Sequence, residues 1–112
     1  MIGISTHVLD TALGQPARGI RVVLECSPDG GSWFPEGEGR TDTNGRIAQM
    51  LANDEPLEVG IYKMTFHVGE YFEGREHFYR EISVQFLVSD PASHYHIPLL
   101  LSPYGYTTHR GT

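Results

Sequence analysis

Cysteine is nearly absent, Cys26 being the only one in 112 residues. One thiol excludes an internal disulfide and leaves no pair for a zinc ribbon or a Cys-x-x-Cys redox centre. Long apolar runs are also lacking, and nothing approaches the ~20 residues of a membrane-spanning helix. Met1 is followed by Ile2-Gly3-Ile4-Ser5-Thr6, with neither a basic nor an apolar leader segment, so no signal peptide is expected. These absences together suit a reducing, cytoplasmic compartment. Positive charge is scarce, with 8 Lys and Arg against 14 Asp and Glu, a net charge of −6 with neutral histidine. That balance argues against non-specific nucleic-acid binding. No repeat, linker or low-complexity stretch divides the sequence, so residues 1–112 read as one domain. At that size folding buries about 65% of the surface an unfolded chain exposes.

What is present is punctuation: 13 glycines and 7 prolines separate short apolar runs, as in an all-β domain. In Ile20 to Cys26, residues Ile20, Val22, Leu24 and Cys26 share one face. Tyr62, Met64, Phe66 and Val68 alternate with Lys63, Thr65 and His67. Ile82, Val84, Phe86 and Val88 alternate with Ser83, Gln85 and Leu87. These three segments read as half-buried antiparallel strands. Ile4 to Leu9 is a shorter candidate, as is Ile47 to Leu51, which follows the strong hairpin signal Asn44-Gly45. Pro28-Asp29-Gly30-Gly31 and Ser102-Pro103-Tyr104-Gly105 read as turns. A short helix is expected around Gly69 to Arg75. Seven or eight strands in this length point to a two-sheet sandwich.

Ile97-Pro98-Leu99-Leu100-Leu101 breaks the alternation, being apolar on both faces. One face of a strand in a small sandwich is normally wet. The second face is therefore expected to be covered, most economically by another subunit, with Pro98 at an edge or bulge.

Six histidines are the other feature: His7, His67, His77, His94, His96 and His109. None shows the His-Glu-x-x-His spacing of a zinc protease. His94 and His96 would share a strand face, but two ligands lacking a nearby third do not make a metal site. His67 and His77 flank the expected helix without a partner visible in the sequence. His7 sits in the polar cluster Ser5-Thr6-His7, and His96 opens the apolar C-terminal run. Arg40 and Arg46 bracket the Asn44-Gly45 turn. His109-Arg110-Gly111-Thr112 brings together a titratable ring, a fixed cation, a hydroxyl and a carboxylate. Residue patterning leaves the role of each of these open.

Three segments carry a more specific signal. Ser5-Thr6-His7-Val8-Leu9-Asp10-Thr11-Ala12-Leu13-Gly14-Gln15-Pro16-Ala17 resembles the N-terminal signature of the transthyretin-related 5-hydroxyisourate hydrolases. Thr43-Asn44-Gly45-Arg46 resembles their Asp-Gly-Arg turn. The segment from His94 to Tyr106, with His94-Tyr95-His96-Ile97-Pro98-Leu99-Leu100-Leu101, resembles their C-terminal signature. The likeness runs end to end and in order.

This resemblance implies a prealbumin-like, all-β sandwich of two four-stranded sheets with one short helix. It implies a homotetramer, a dimer of dimers, with active sites at a subunit interface. The implied reaction is hydrolysis of 5-hydroxyisourate to 2-oxo-4-hydroxy-4-carboxy-5-ureidoimidazoline, in urate degradation, without metal or organic cofactor. Carried over by position, His7, Arg46 and His96 are the catalytic set, and His7, Arg46, His109 and Thr112 bind substrate. The chain departs from the family's Tyr-Arg-Gly-Ser ending at two positions, reading His109-Arg110-Gly111-Thr112. Threonine keeps the hydroxyl. Histidine replaces a phenol that stays neutral near pH 7 by a ring that titrates in the working range. Two other readings share the architecture: a carrier that binds small ligands without hydrolysing them, and a structural module of longer secreted proteins. Fold alone does not separate these, so the site residues decide.

Overall fold

The computed structural model describes residues 3–52 and 56–112. Met1 and Ile2, on which the leader reading partly rests, lie outside them. In chain order the elements are β1 (Gly3–Asp10), β2 (Gln15–Pro16), β3 (Arg21–Ser27), β4 (Phe34–Arg40), β5 (Arg46–Ile47), β6 (Gly60–Phe66), α1 (Val68–Tyr71), β7 (Ile82–Val88), β8 (His94–Ser102) and β9 (Gly105–Thr108). One sheet has the order β4-β3-β6-β7, with every neighbouring pair antiparallel. The other has the order β2-β1-β8-β9, and the two-residue β5 pairs with the same side of β1 as β2, further along. The expected sandwich, four strands wide in each sheet, is therefore present, with one short extra strand.

Period-two patterning built these sheets as the sequence indicated. Val22, Leu24, Met64, Phe66, Ile82 and Val88 turn inward from the first sheet, and Ile4, Val8, Ile97, Leu99 and Leu101 meet them from the second. Each such side chain contributes roughly 1.5–3 kcal/mol on leaving water. The helix is shorter than expected: Val68–Tyr71 is helical, and the chain continues through Arg75 as hydrogen-bonded turns. Its anchor is the carboxylate of Asp10, fully buried at the end of β1. That carboxylate accepts the Ala12 and Leu13 N–H groups, the Tyr71 hydroxyl at 2.8 Å and Arg75 Nη1 at 3.0 Å.

Two expectations need correction. Asn44-Gly45 does not join two paired strands. The turn carries the chain from β4 in one sheet to β5 in the other, and of the expected Ile47 to Leu51 strand only Ile47 forms a regular pair, with Arg46 paired just before it. The chain then follows β1 loosely, with the Met50 N–H donating to the Ile4 carbonyl at 2.7 Å. Pro98 lies not on an edge strand or at a bulge but inside the central strand β8, paired with β1 on one side and just beyond the last β9 pair on the other. Ile97 and Leu101 turn their carbonyls to β1, where they receive Thr6 Oγ1 and the Thr11 N–H. His96 and Pro98 turn theirs the other way, toward Gly111 N–H and Thr108 Oγ1. The N–H that proline lacks thus falls on the β9 side, where the ladder ends at the Leu99–Thr108 pair.

Candidate active site

The site is a consequence of register. β1 and β8 run parallel, with Gly3 opposite His94, Ser5 opposite His96 and His7 opposite Pro98. Inward residues of both strands fill the core, so Ser5, His7, His94 and His96 share the outer face. Beside them, β5 places Arg46 opposite His7.

The preceding turn determines where that arginine goes. Asp42 Oδ1 accepts the Asn44 N–H at 2.8 Å and the Arg46 N–H at 2.9 Å. These backbone donors, joined by the charges of Arg46 and His7, hold the Asp42 carboxyl below the usual carboxylate range. Gly45 has φ +75° and sits against β1, its carbonyl accepting the Val8 N–H at 2.8 Å. A side chain there would be strained in φ and would strike the Val8 carbonyl.

The C-terminal tetrapeptide divides around the sheet edge. Gly111 donates its N–H to the His96 carbonyl at 2.8 Å, which brings Thr112 to the outer face. Ser5, Thr6, Arg46, Ile47, Ala48, His94, His96 and Thr112 line an open groove of about 260 Å³. His109 and Arg110 instead line a second recess of about 230 Å³ with Tyr95 and residues Val84 to Leu87 of β7. The Arg110 guanidinium lies 4.5 Å from the centre of the Tyr95 ring. His109 remains close enough to His96 to act on its charge.

Burial is the main cause that lowers the His96 pKa below 6.5, and Arg46, His7, His94 and His109 add to it electrostatically. His96 is therefore a neutral imidazole at pH 7, beside a fixed cation. Ser5 Oγ lies 2.8 Å from both His94 Nε2 and His96 Nδ1. Sequence reasoning noted Ser5 only as part of a polar cluster and left His94 undecided. The i, i+2 spacing of His94 and His96 showed a shared face, but only the register brings Ser5 to them. His67 is bound up with Glu81 and Arg21, and His77 with the Arg75 carbonyl and the Phe72 ring, all outside the groove. Among the described residues no group of three or more His, Cys, Asp or Glu side chains is arranged to hold a metal.

The class defined by this fold and groove is a transthyretin-like β-sandwich that carries three histidines and an arginine on the outer face of one sheet. The HIUase/Transthyretin family model matches residues 4–111, and the chain belongs to that family. A 5-hydroxyisourate hydrolase of Deinococcus radiodurans is 41% identical, over 98% of this chain and 96% of its own. The solved structure of Klebsiella pneumoniae 5-hydroxyisourate hydrolase has a TM-score of 0.81 at 35% identity, covering 97% of this chain and 98% of that one. Transthyretin from Sparus aurata has a TM-score of 0.88 at 27% identity, covering 99% and 97%. Backbone shape therefore fits hydrolase and transthyretin alike, and function has to be argued from the groove.

Proposed function

We propose that this protein, a single domain over residues 1–112, hydrolyses 5-hydroxyisourate to 2-oxo-4-hydroxy-4-carboxy-5-ureidoimidazoline. The reaction is a step in urate degradation, and the named hydrolases at 35–41% identity support the assignment. The observation that carries it is the convergence of Arg46, His96 and the end of the tail at Thr112 on one groove, with His7 paired to Arg46 in the ladder. A carrier of apolar ligands has no need of that set.

His7, Arg46 and His96 are the catalytic groups of this reading, and His7, Arg46, His109 and Thr112 bind substrate. Water adds to the lactam carbonyl, one imidazole takes its proton, and negative charge develops on the carbonyl oxygen. The planar guanidinium of Arg46 stabilises that oxygen and aligns the electron-rich ring. Collapse breaks the ring C–N bond, and the departing nitrogen takes up the proton held by histidine. The chemistry uses side chains alone.

The working assembly is a homotetramer built as a dimer of dimers, in the cytoplasm. Support comes from β7 and β9, which end their sheets on the same side of the sandwich, and from Pro98 and Leu100 on the outer face of β8. Among the described residues no helix is long and apolar enough to cross a membrane.

The test is steady-state decay of freshly generated 5-hydroxyisourate. His7→Ala, Arg46→Ala and His96→Ala are each expected to lower kcat/KM by roughly 10²–10⁴-fold. Near-parent values in all three would overturn the assignment, and a parent rate no faster than buffer would favour the carrier.

A further inference from the structure

A single hydroxyl proton determines which histidine is the base. Ser5 is 7% exposed, and its Oγ lies 2.8 Å from His94 Nε2 and 2.8 Å from His96 Nδ1. A hydroxyl donates one hydrogen bond. One of the two contacts must therefore be donated by a ring N–H. Either the donor order runs from His94 through Ser5 to His96, or it runs in reverse.

The two orders differ at the far nitrogen of His94. Nδ1 is buried and has no hydrogen-bond partner among the described residues. In the reverse order Ser5 donates to His94 Nε2, and the neutral ring carries its proton on Nδ1. That would bury an N–H with no acceptor. In the forward order Nδ1 is a bare lone pair. A stranded buried N–H is the rarer and costlier defect. The forward order is therefore the one adopted, with His94 Nε2–H donating to Ser5 and Ser5 Oγ–H donating to His96 Nδ1.

We propose that Ser5 and His94 are positioning residues that hold His96 as its Nε2–H tautomer, so that His96 donates to the substrate and His7 is the base. His96 Nε2 makes no protein hydrogen bond among the described residues, and the ring lines the groove. A nitrogen that already bears a proton on a neutral ring cannot take one from water. The balance of the step, which rests on the hydrolytic reading of the groove, is then complete. The C–O bond forms as His7 takes the water proton, and the carbonyl electron pair moves onto an oxygen held by His96 Nε2–H and Arg46. The pair returns, the ring C–N bond breaks, and His7 delivers its proton to the nitrogen.

The tautomer can be read directly. In protein labelled with ¹⁵N-histidine, long-range ¹H–¹⁵N correlation at pH 8 should show His96 protonated at Nε2 and bare at Nδ1, with His96→Gln assigning the signals. The opposite pattern overturns the proposal. Ser5→Ala should mix the tautomers and lower kcat by about 10–100-fold with KM changed by less than about threefold. His94→Gln keeps an amide N–H within reach of Ser5, whereas His94→Leu does not. The Gln variant should retain at least about fivefold more kcat than the Leu variant, and equal rates would overturn the donor role of His94. If the parent fails to hydrolyse 5-hydroxyisourate while His96 shows the Nε2–H form, the relay stands and the hydrolase reading falls.

Discussion

Gly111→Ala isolates the fit between the C-terminal tail and the site. A methyl group at that position would lie 2.5 Å from His96 Cδ2 and 3.3 Å from both its Cγ and its carbonyl oxygen. Gly111 is not among the glycines with positive φ, so the conflict is purely steric. Carbon atoms pack at about 3.5–4.0 Å, so something must give by about 1 Å. If the ring yields, His96 leaves its alignment with Ser5. If the tail yields, the Gly111 bond to the His96 carbonyl breaks and Thr112 leaves the groove. Misplacement on that scale costs about a hundredfold in rate, or about 2.7 kcal/mol of transition-state stabilisation. The stability cost is one hydrogen bond at the chain end, about 0.5–1.5 kcal/mol. The expected outcome is therefore a large fall in kcat/KM on freshly generated 5-hydroxyisourate, with little change in thermal unfolding at fixed protein concentration. A variant within about threefold of the parent would refute the claim that the tail packs on the catalytic ring.

Three other groups, Asp10, Cys26 and His96, give further expected outcomes. Asp10→Ala removes a buried acceptor of four hydrogen bonds, and should cost about 3 kcal/mol in denaturant unfolding, the low end for a broken buried pair because Arg75 is 33% exposed. Burial raises the Asp10 pKa, but Tyr71, the Leu13 N–H and Arg75 outweigh it and hold the carboxyl below 3.8. Its stabilisation is thus full above 3.8 and lost as pH falls through the folded value, so the gap between parent and variant should close in acid. Cys26 donates to Glu36 at 2.9 Å, and burial, with Glu36 and Glu58 nearby, pushes its thiol up to about 12. Iodoacetamide at pH 8 should therefore modify it at least about tenfold more slowly in the folded than in the unfolded protein. The His96 ring should titrate below 6.5 by NMR. His109→Tyr, which removes one neighbouring titratable ring, should move that midpoint upward. An unchanged midpoint would separate His109 from the site.

Strands with one dry face were legible from spacing alone, as β3, β6 and β7 illustrate. β4 was not, because Phe34-Pro35-Glu36-Gly37-Glu38-Gly39-Arg40 is an edge strand with no apolar face to display. Asn44-Gly45 was correctly recognised as a turn, but a turn dictates only the local reversal. The buried packing of Gly45 against Val8 directs Arg46 and Ile47 to the other sheet, and no local pattern encodes that. The same limit governs the site. His94 and His96 share a face by period two, as do Ser5 and His7, yet Ser5 and His96 lie 91 residues apart in the chain. Sliding β8 by one residue along β1 would put an inward side chain opposite Ser5 and dismantle the relay. The register is held from the core side, where buried Thr6 donates Oγ1–H to the Ile97 carbonyl at 2.6 Å. The chemistry of the outer face thus depends on a threonine that contributes no catalytic group, which is why motif resemblance could name His7, Arg46 and His96 but not the hydroxyl between the histidines.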